Sequence, residues 1–254
     1  MQRYFIGPDQ FGERSVTITG EDARHISKVM RSKPGDQFIV SDGASRDALV
    51  KIVSLEPETV SAEILEMLEQ KGEPWIKVTL VQSLPKGDKM ETVIQKCTEI
   101  GADGFLPFIS ERTVVQYDGK KEEKRIARWR KIAKEAAEQS HRSVIPAVET
   151  PISWKELLRR LDTYDLVCIC YEKEDGGGLR DVLRPMVEAT PRENKCRVAV
   201  VVGPEGGFSE REIQEAEEAG AVSTSLGRRI LRTETAGMAA LTCIMYESGE
   251  MGGM

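Results

Sequence analysis

A parallel α/β domain behind a small β-rich domain is the fold class predicted by this 254-residue chain. Three observations predict it. Before residue 70, short β-favouring runs are separated by turn signals such as Pro34-Gly35-Asp36 and Asp42-Gly43, as in a small barrel. After Pro74, strand-like runs alternate with helical periodicities. The later strand runs, Val198 to Val202 above all, are almost wholly apolar, as strands covered on both faces are.

In the first part the strands are RSVTIT, QFIVSD, RDALVKIVSL and TVSAEILEM. One helix interrupts them near residues 21 to 31. Its spacing puts Ala23, Ile26 and Met30 on one side, and Arg24, Lys28 and Arg31 on the other. Gln70-Lys71-Gly72-Glu73-Pro74 is polar with Gly and Pro, and predicts a hinge. This divides the chain into residues 1–72 and 73–254.

Beyond the hinge, strands are predicted at WIKVTLVQSL, GFLPFIS, DLVCICYE, RVAVVVGP and AVSTSLG. Helices fit near 88–101, 122–139, 153–161, 179–188, 209–219 and 234–248. In the first of these, Asp88 is placed to cap the N-terminus with Glu91 three residues on. Met90, Val93, Ile94, Cys97 and Ile100 make an apolar stripe, and burying the larger ones stabilises by roughly 1.5–3 kcal/mol each. Gly101 supplies the stop.

Composition narrows the function. No apolar run has the length of a membrane span, and MQRYFIGPDQ lacks a signal-peptide core, so a cytoplasmic protein is expected, with no membrane partner. The five cysteines are odd in number and form no CxxC pair, which predicts reduced thiols. His25 and His141 are too few and too far apart for a zinc site, and no metal is expected. A net charge of −6 does not advertise a nucleic-acid binder, so local charge has to carry any such role.

The segment VVGPEGGFSEREI, residues 201–213, reads as strand, glycine turn and capped helix. Pro204 and Glu205 break the Rossmann spacing, and no Gly-Lys-Ser/Thr follows for a phosphate loop. Gly203, Gly206 and Gly207 leave room for a flat ligand against the backbone, and Ser209 with Glu212 spells a capping box. Glu205 would repel a phosphate and suits a cationic or hydroxyl-bearing ligand. A second segment, SLGRRILRTETAGMAAL, ends a strand at Leu226-Gly227. It continues through Arg228, Arg229, Ile230, Leu231 and Arg232 into a helix rich in small residues. Two such turns in successive βα units would lie side by side at the carboxyl edge of a parallel sheet, where ligands bind.

GPEGGFS and LGRRILRTETA together resemble the signature pair of the ribosomal RNA uracil-N3 methyltransferases, in the SPOUT superfamily of knotted methyltransferases. SLPKGDKMETVIQKCTEIG, ISERTVV and RWRKIAKEAAEQSHR resemble further family blocks in order, and RYFI, HISKVMR and the SDG segment resemble its PUA-like RNA-binding domain. His141 stands where the family pattern has glycine. The resemblance implies a SPOUT-type parallel sheet with a deep trefoil knot, a PUA-like β-barrel ahead of it, and a homodimer. It implies S-adenosylmethionine as methyl donor and a uridine of 16S ribosomal RNA in the small (30S) subunit, conventionally uridine 1498, as acceptor.

Carried over by position, the resemblance places the cofactor against Gly203, Pro204, Glu205, Gly206, Leu226, Gly227, Ile230, Leu231 and Arg232, with the strand end at Cys170-Tyr171 as a third wall. Arg232 is the candidate for stabilising the uracil anion, and Glu205 and Glu234 are candidate proton acceptors. A first-turn glutamate such as Glu234 is also commonly structural. RNA contacts are expected from Arg3, Arg24, Lys28 and Arg31, from Arg128 on a helix whose Lys124 and Lys131 share its face, and from Arg142 with Arg228 and Arg229. Two other readings stay open at this point: a non-catalytic RNA-binding or ribosome-assembly protein, and a knotted methyltransferase acting on another RNA site.

Overall fold

The computed structural model describes residues 1–70, 72–115, 119–174 and 176–252. Chain contacts divide it into two compact units: Met1–Glu73 with Ala137–Ile145, and Pro74–Ala136 with Pro146–Met254. The predicted hinge falls at this boundary, although its Lys71 lies outside the described residues. Ala137–Ile145 joins the first unit, a segment that a single cut at residue 72 assigns to the second.

The first unit is a curled half-barrel of β1 (Arg3–Phe5), β2 (Ser15–Thr19), β3 (Gln37–Ser41), β4 (Asp47–Leu55) and β5 (Thr59–Leu68), in the order β1-β3-β4-β5-β2. Alternation along β2 buries Val16 and Ile18 and exposes Ser15, Thr17 and Thr19, the two-residue period of a half-buried strand. Register shifts between Leu49 and Val50 and between Ile52 and Ser54 interrupt the β4–β5 ladder, and such bulges bend a sheet. The inner face packs Ile18, Val40, Val50, Val60 and Ile26 into one core. β1, absent from the strands read by alternation, is three residues long and pairs parallel with β3.

The helix predicted over 21–31 is α1 (Gly20–Arg24) followed by a π-turn over His25–Val29. Ala23 and Ile26 are buried as the spacing requires, but Met30 is exposed. The reason is the Met30 N–H, which donates to the His25 carbonyl five residues back. That wider turn rotates every following side chain away from an α-helical stripe.

Ala137–Ile145 is held to the half-barrel by buried polar groups of the same unit. Arg3 donates to Asp47 Oδ2 at 2.6 Å, and Ser143 Oγ donates to the same oxygen at 2.7 Å. Arg142 Nη2 donates to Glu73 Oε2 at 2.7 Å, and the Ser143 and Val144 N–H groups donate to Glu73 Oε1. His141, just before, has φ +59, a left-handed conformation that favours glycine. This accounts for the glycine of the family pattern at that position.

The second unit is a parallel sheet of β6 (Ile76–Ser83), β7 (Gly104–Ile109), β8 (Ala147–Val148), β9 (Ile152–Ser153), β10 (Leu166–Cys170), β11 (Cys196–Val202) and β12 (Val222–Thr224). Its order is β12-β10-β11-β6-β7-β8, with β9 also on β7. Central β11 is buried from Val198 to Val202, so its apolar run follows from cover on both faces. The helices are α2 (Lys89–Ile100), α3 (Gly119–Gln139), α4 (Trp154–Leu158), α5 (Leu179–Ala189), α6 (Glu210–Glu218) and α7 (Thr233–Glu247).

α2 buries Met90, Val93, Ile94 and Cys97 and ends on Gly101 at φ +118. Asp88 occupies its cap position, but the carboxylate accepts no capping hydrogen bond. α3 buries Ile126, Trp129 and Ala133 and exposes Lys124, Arg128 and Lys131, the two faces its periodicity requires. After edge strand β12 the chain returns, and α7 packs on β11, β6 and α2. The small residues of α7 permit this: a Cβ at Gly237 would lie 3.1 Å from the Leu80 methyls of β6.

Candidate functional site

The two glycine turns meet in one cavity of about 460 Å³ at the carboxyl edge of the sheet. Residues 202–208 after β11 form one wall, residues 225–233 after β12 another, and Cys170, Tyr171 and Glu172 after β10 a third. Every residue expected to hold the cofactor lines it: Gly203, Pro204, Glu205, Gly206, Leu226, Gly227, Ile230, Leu231 and Arg232. Its volume is that of a small-molecule site.

The turn after β11 is shaped by close approach. A Cβ on Gly203 would stand 3.1 Å from the ring of Phe208, which is itself buried against Phe108 and Trp154. Gly206 and Gly207 lie between two side chains: an added Cβ would meet Arg112 Cβ at 3.3 Å on the first and Glu172 Oε1 at 2.7 Å on the second. Gly207 also has φ +65. Arg112 donates to the Gly206 carbonyl at 2.8 Å. The predicted capping box is present: Ser209 Oγ accepts from the Glu212 N–H, and Glu212 Oε2 accepts from the Ser209 N–H. Glu212 is buried and its second oxygen accepts from the Glu111 N–H at 2.8 Å, so the segment after β7 is fastened to the start of α6.

Thr233 joins the two turns. Its hydroxyl donates to the Gly203 carbonyl at 2.6 Å and accepts from the Gln82 amide of β6 at 2.9 Å. Arg232 holds the cap position of α7, without a side-chain cap bond, and Thr233 is the first helical residue. A buried hydroxyl with two partners stabilises by about 1 kcal/mol per bond and costs more if one is left unmade.

Two family models match the chain, an RNA methyltransferase domain over residues 71–245 and an RNA methyltransferase PUA domain over 18–65. The chain belongs to the RNA methyltransferase family. It is 41% identical over 251 residues to ribosomal RNA small subunit methyltransferase E of Bacillus subtilis, covering 98% of this chain and 97% of that one. The namesake in Synechocystis is 33% identical, covering 95% and 76%. Among solved structures, a ribosomal RNA small subunit methyltransferase E from Neisseria gonorrhoeae bound to S-adenosyl methionine superposes with a TM-score of 0.86 at 32% identity, covering 97% of each chain.

In this methyltransferase the candidate proton acceptors are not equivalent. Glu205 lines the cavity, and its carboxylate accepts from Lys89 Nζ at 2.9 Å and from the Lys86 N–H at 3.1 Å. Burial pushes its carboxyl up, but the Lys89 and backbone hydrogen bonds outweigh that and hold it below the usual carboxylate range. The Glu205 hydrogen bond in turn raises Lys89 against a smaller effect of burial. Glu234 does not line the cavity; its Oε2 lies 3.4 Å from the same Lys89.

The Cys170 thiol at the third wall is pushed up to about 12 by burial and by neighbouring Cys168, and is therefore protonated at neutral pH. Lys89, Gln82, Arg112 and Glu172 escaped the sequence reading because each lies 30 residues or more in sequence from the turn it touches. The only signal was that SLPKGDKMET and ISERTVV resembled family blocks.

The basic residues also separate. Arg228, Arg229 and Arg232 are exposed at the cavity, and among the described residues their side chains have no hydrogen-bond or ion-pair partner. Lys28 and Arg31 are exposed, Arg24 pairs with Glu58, and Arg128 pairs with Glu91. Arg3 and Arg142 are corrections to the expected RNA surface. They are 8% and 4% exposed and spend their guanidinium groups on Asp47 and Glu73. A buried guanidinium already paired with a carboxylate cannot present that charge to a phosphate. Among the described residues no helix is long and apolar enough to cross a membrane.

Proposed function

We propose that this methyltransferase transfers a methyl group from S-adenosylmethionine to N3 of a uridine in the 16S ribosomal RNA of the small subunit, giving 3-methyluridine. The observation that carries this is the single cavity made by the turns after β11 and β12, tied together by the Thr233 hydroxyl on the Gly203 carbonyl. Its walls fit a flat, uncharged ring: backbone at Gly203, Gly206 and Gly227, with Leu226, Ile230 and Leu231 to cover ring faces. S-adenosylmethionine bound there would supply a methyl on a sulfonium, an electrophile that needs only alignment with the acceptor.

The chain's own residues then have separable tasks. Arg232, exposed at the cavity and unpaired among the described residues, stabilises negative charge growing on the uracil carbonyls as the N3 proton leaves. Glu205 and Glu234 remain the candidate proton acceptors. The clamp of Lys89 on Glu205 makes that carboxylate a weaker base and a better anchor for the turn. Lys28, Arg31, Arg128, Arg228 and Arg229 are the remaining RNA contacts, with Arg24 beside them. The return of α7 from the β12 edge onto β11 and β6 supports the trefoil knot, and exposed Tyr246 at its end offers apolar surface to a second copy in a homodimer.

Calorimetry with S-adenosylmethionine tests the cavity; no binding heat and no affinity by a second method would refute it. Mass spectrometry of 16S ribosomal RNA from cells with and without the protein tests the reaction. The expected result is loss of one 3-methyluridine, and an unchanged modification would mean another substrate.

A further inference from the structure

Three glutamates stand at or beside the cavity, and two are committed. Glu205 is held by Lys89 and the Lys86 N–H, and Glu234 faces the same lysine. Glu172 is different. It lines the cavity two residues beyond the end of β10, and among the described residues its carboxylate has no hydrogen-bond or ion-pair partner. The cation next to it in sequence, Lys173, is on Glu210, and Arg112 beside the turn is on the Gly206 carbonyl.

Nor does Glu172 merely extend into solvent. Its Oε1 lies against the glycine turn, 2.7 Å from the point a Gly207 Cβ would occupy, so that only glycine lets the carboxylate approach there. β10 and β11 are adjacent and parallel, with Cys170 level with Val202. Two residues beyond these strand ends are Glu172 and Pro204, which places the carboxylate beside the turn.

An ionised carboxylate is an acceptor only, so it needs donors from whatever fills the cavity. In parallel α/β nucleotide sites, an acidic residue near a neighbouring strand end, beside a glycine turn, takes the ribose hydroxyls. The wall after β12 carries Arg228, Arg229 and Arg232, whose charge suits anionic groups instead. We infer that Glu172 is a cofactor-binding residue whose carboxylate accepts hydrogen bonds from the ribose hydroxyls of the adenosyl group. This rests on reading the cavity as the S-adenosylmethionine site.

The test compares S-adenosylhomocysteine with its 2′,3′-dideoxyribose analogue, by calorimetry, on the wild-type protein and on Glu172→Ala. The side chain is exposed, so the variant is expected to melt with the wild type. The wild type should prefer the hydroxylated ligand by roughly ten- to hundredfold, the range for hydrogen bonds to a charged acceptor. Glu172→Ala should bind both ligands equally, at the weaker affinity. A preference that survives in the variant, or is absent from the wild type, overturns the assignment. An equal loss for both ligands overturns it too, because the carboxylate would then serve another group. A wild type that binds neither ligand refutes the cofactor site itself, before the variant is considered.

Discussion

Arg142 and Arg232 were both candidates for contact with RNA or substrate. In the first unit Arg142 is 4% exposed and its guanidinium is bonded to Glu73, whose other oxygen accepts two backbone N–H groups. In the second unit Arg232 is exposed at the cavity and has no side-chain partner among the described residues. The same side chain is a fastening in one place and an available charge in the other. The difference teaches that a cation becomes a candidate for function only when no carboxylate has claimed it.

The largest expected effect breaks the fastening. Arg142→Met leaves half-buried Glu73 without its cation and should lower unfolding free energy by about 3 kcal/mol, read by denaturant unfolding. Adding Glu73→Met should recover part of that loss; no recovery would mean that packing, and not the ion pair, makes Arg142 matter. The opposite arm is Arg232→Ala. Melting should stay with the wild type, while turnover falls by about 10²–10³, as when one pre-organised donor is removed. Unchanged turnover would remove Arg232 from the mechanism.

Thr233→Val tests the bond between the two turns. It deletes the donor to Gly203 and the acceptor for Gln82, and should cost about 1–3 kcal/mol of stability together with cofactor affinity. Lys89→Met should cost less than about 1 kcal/mol, since the pair with Glu205 is partly exposed. Its clearer readout is pH. Glu205 titrates below its ordinary range when folded, so its contribution is full above that range and lost as pH falls through the folded value. Lys89 is raised, so its contribution is present below the ordinary lysine value and lost as pH rises through the folded one. The wild-type advantage should therefore be flat around neutrality and shrink in acid and in alkali, and Glu205 in the variant should titrate higher by carboxyl NMR. The smallest effect sits beside Arg142: His141→Gly relieves a left-handed residue and should stabilise by about 0.5–1 kcal/mol in thermal melts.

Local chemistry made much of the molecule legible. The apolar run of β11 announced a strand covered on both faces, Ser209 and Glu212 announced the cap of α6, and Gly101 announced the end of α2. Where a reading failed, a competing interaction had won. Met30 turned outward because a π-turn widened the helix, and Asp88 stood at a cap it does not close.

Sequence alone determined the order of the longer strands and of the helices, the two glycine turns and the composition of the α7 face, because each depends on residues within a few positions of one another; the short β1, β8 and β9 carry too few residues to show a period. Tertiary structure decided which charges were spent. Lys89 on Glu205, Arg112 on Gly206, Arg142 on Glu73 and the unclaimed carboxylate of Glu172 all depend on which distant segments the sheet order brings within 3 to 4 Å, a distance at which partners exchange hydrogen bonds and beyond which water takes their place.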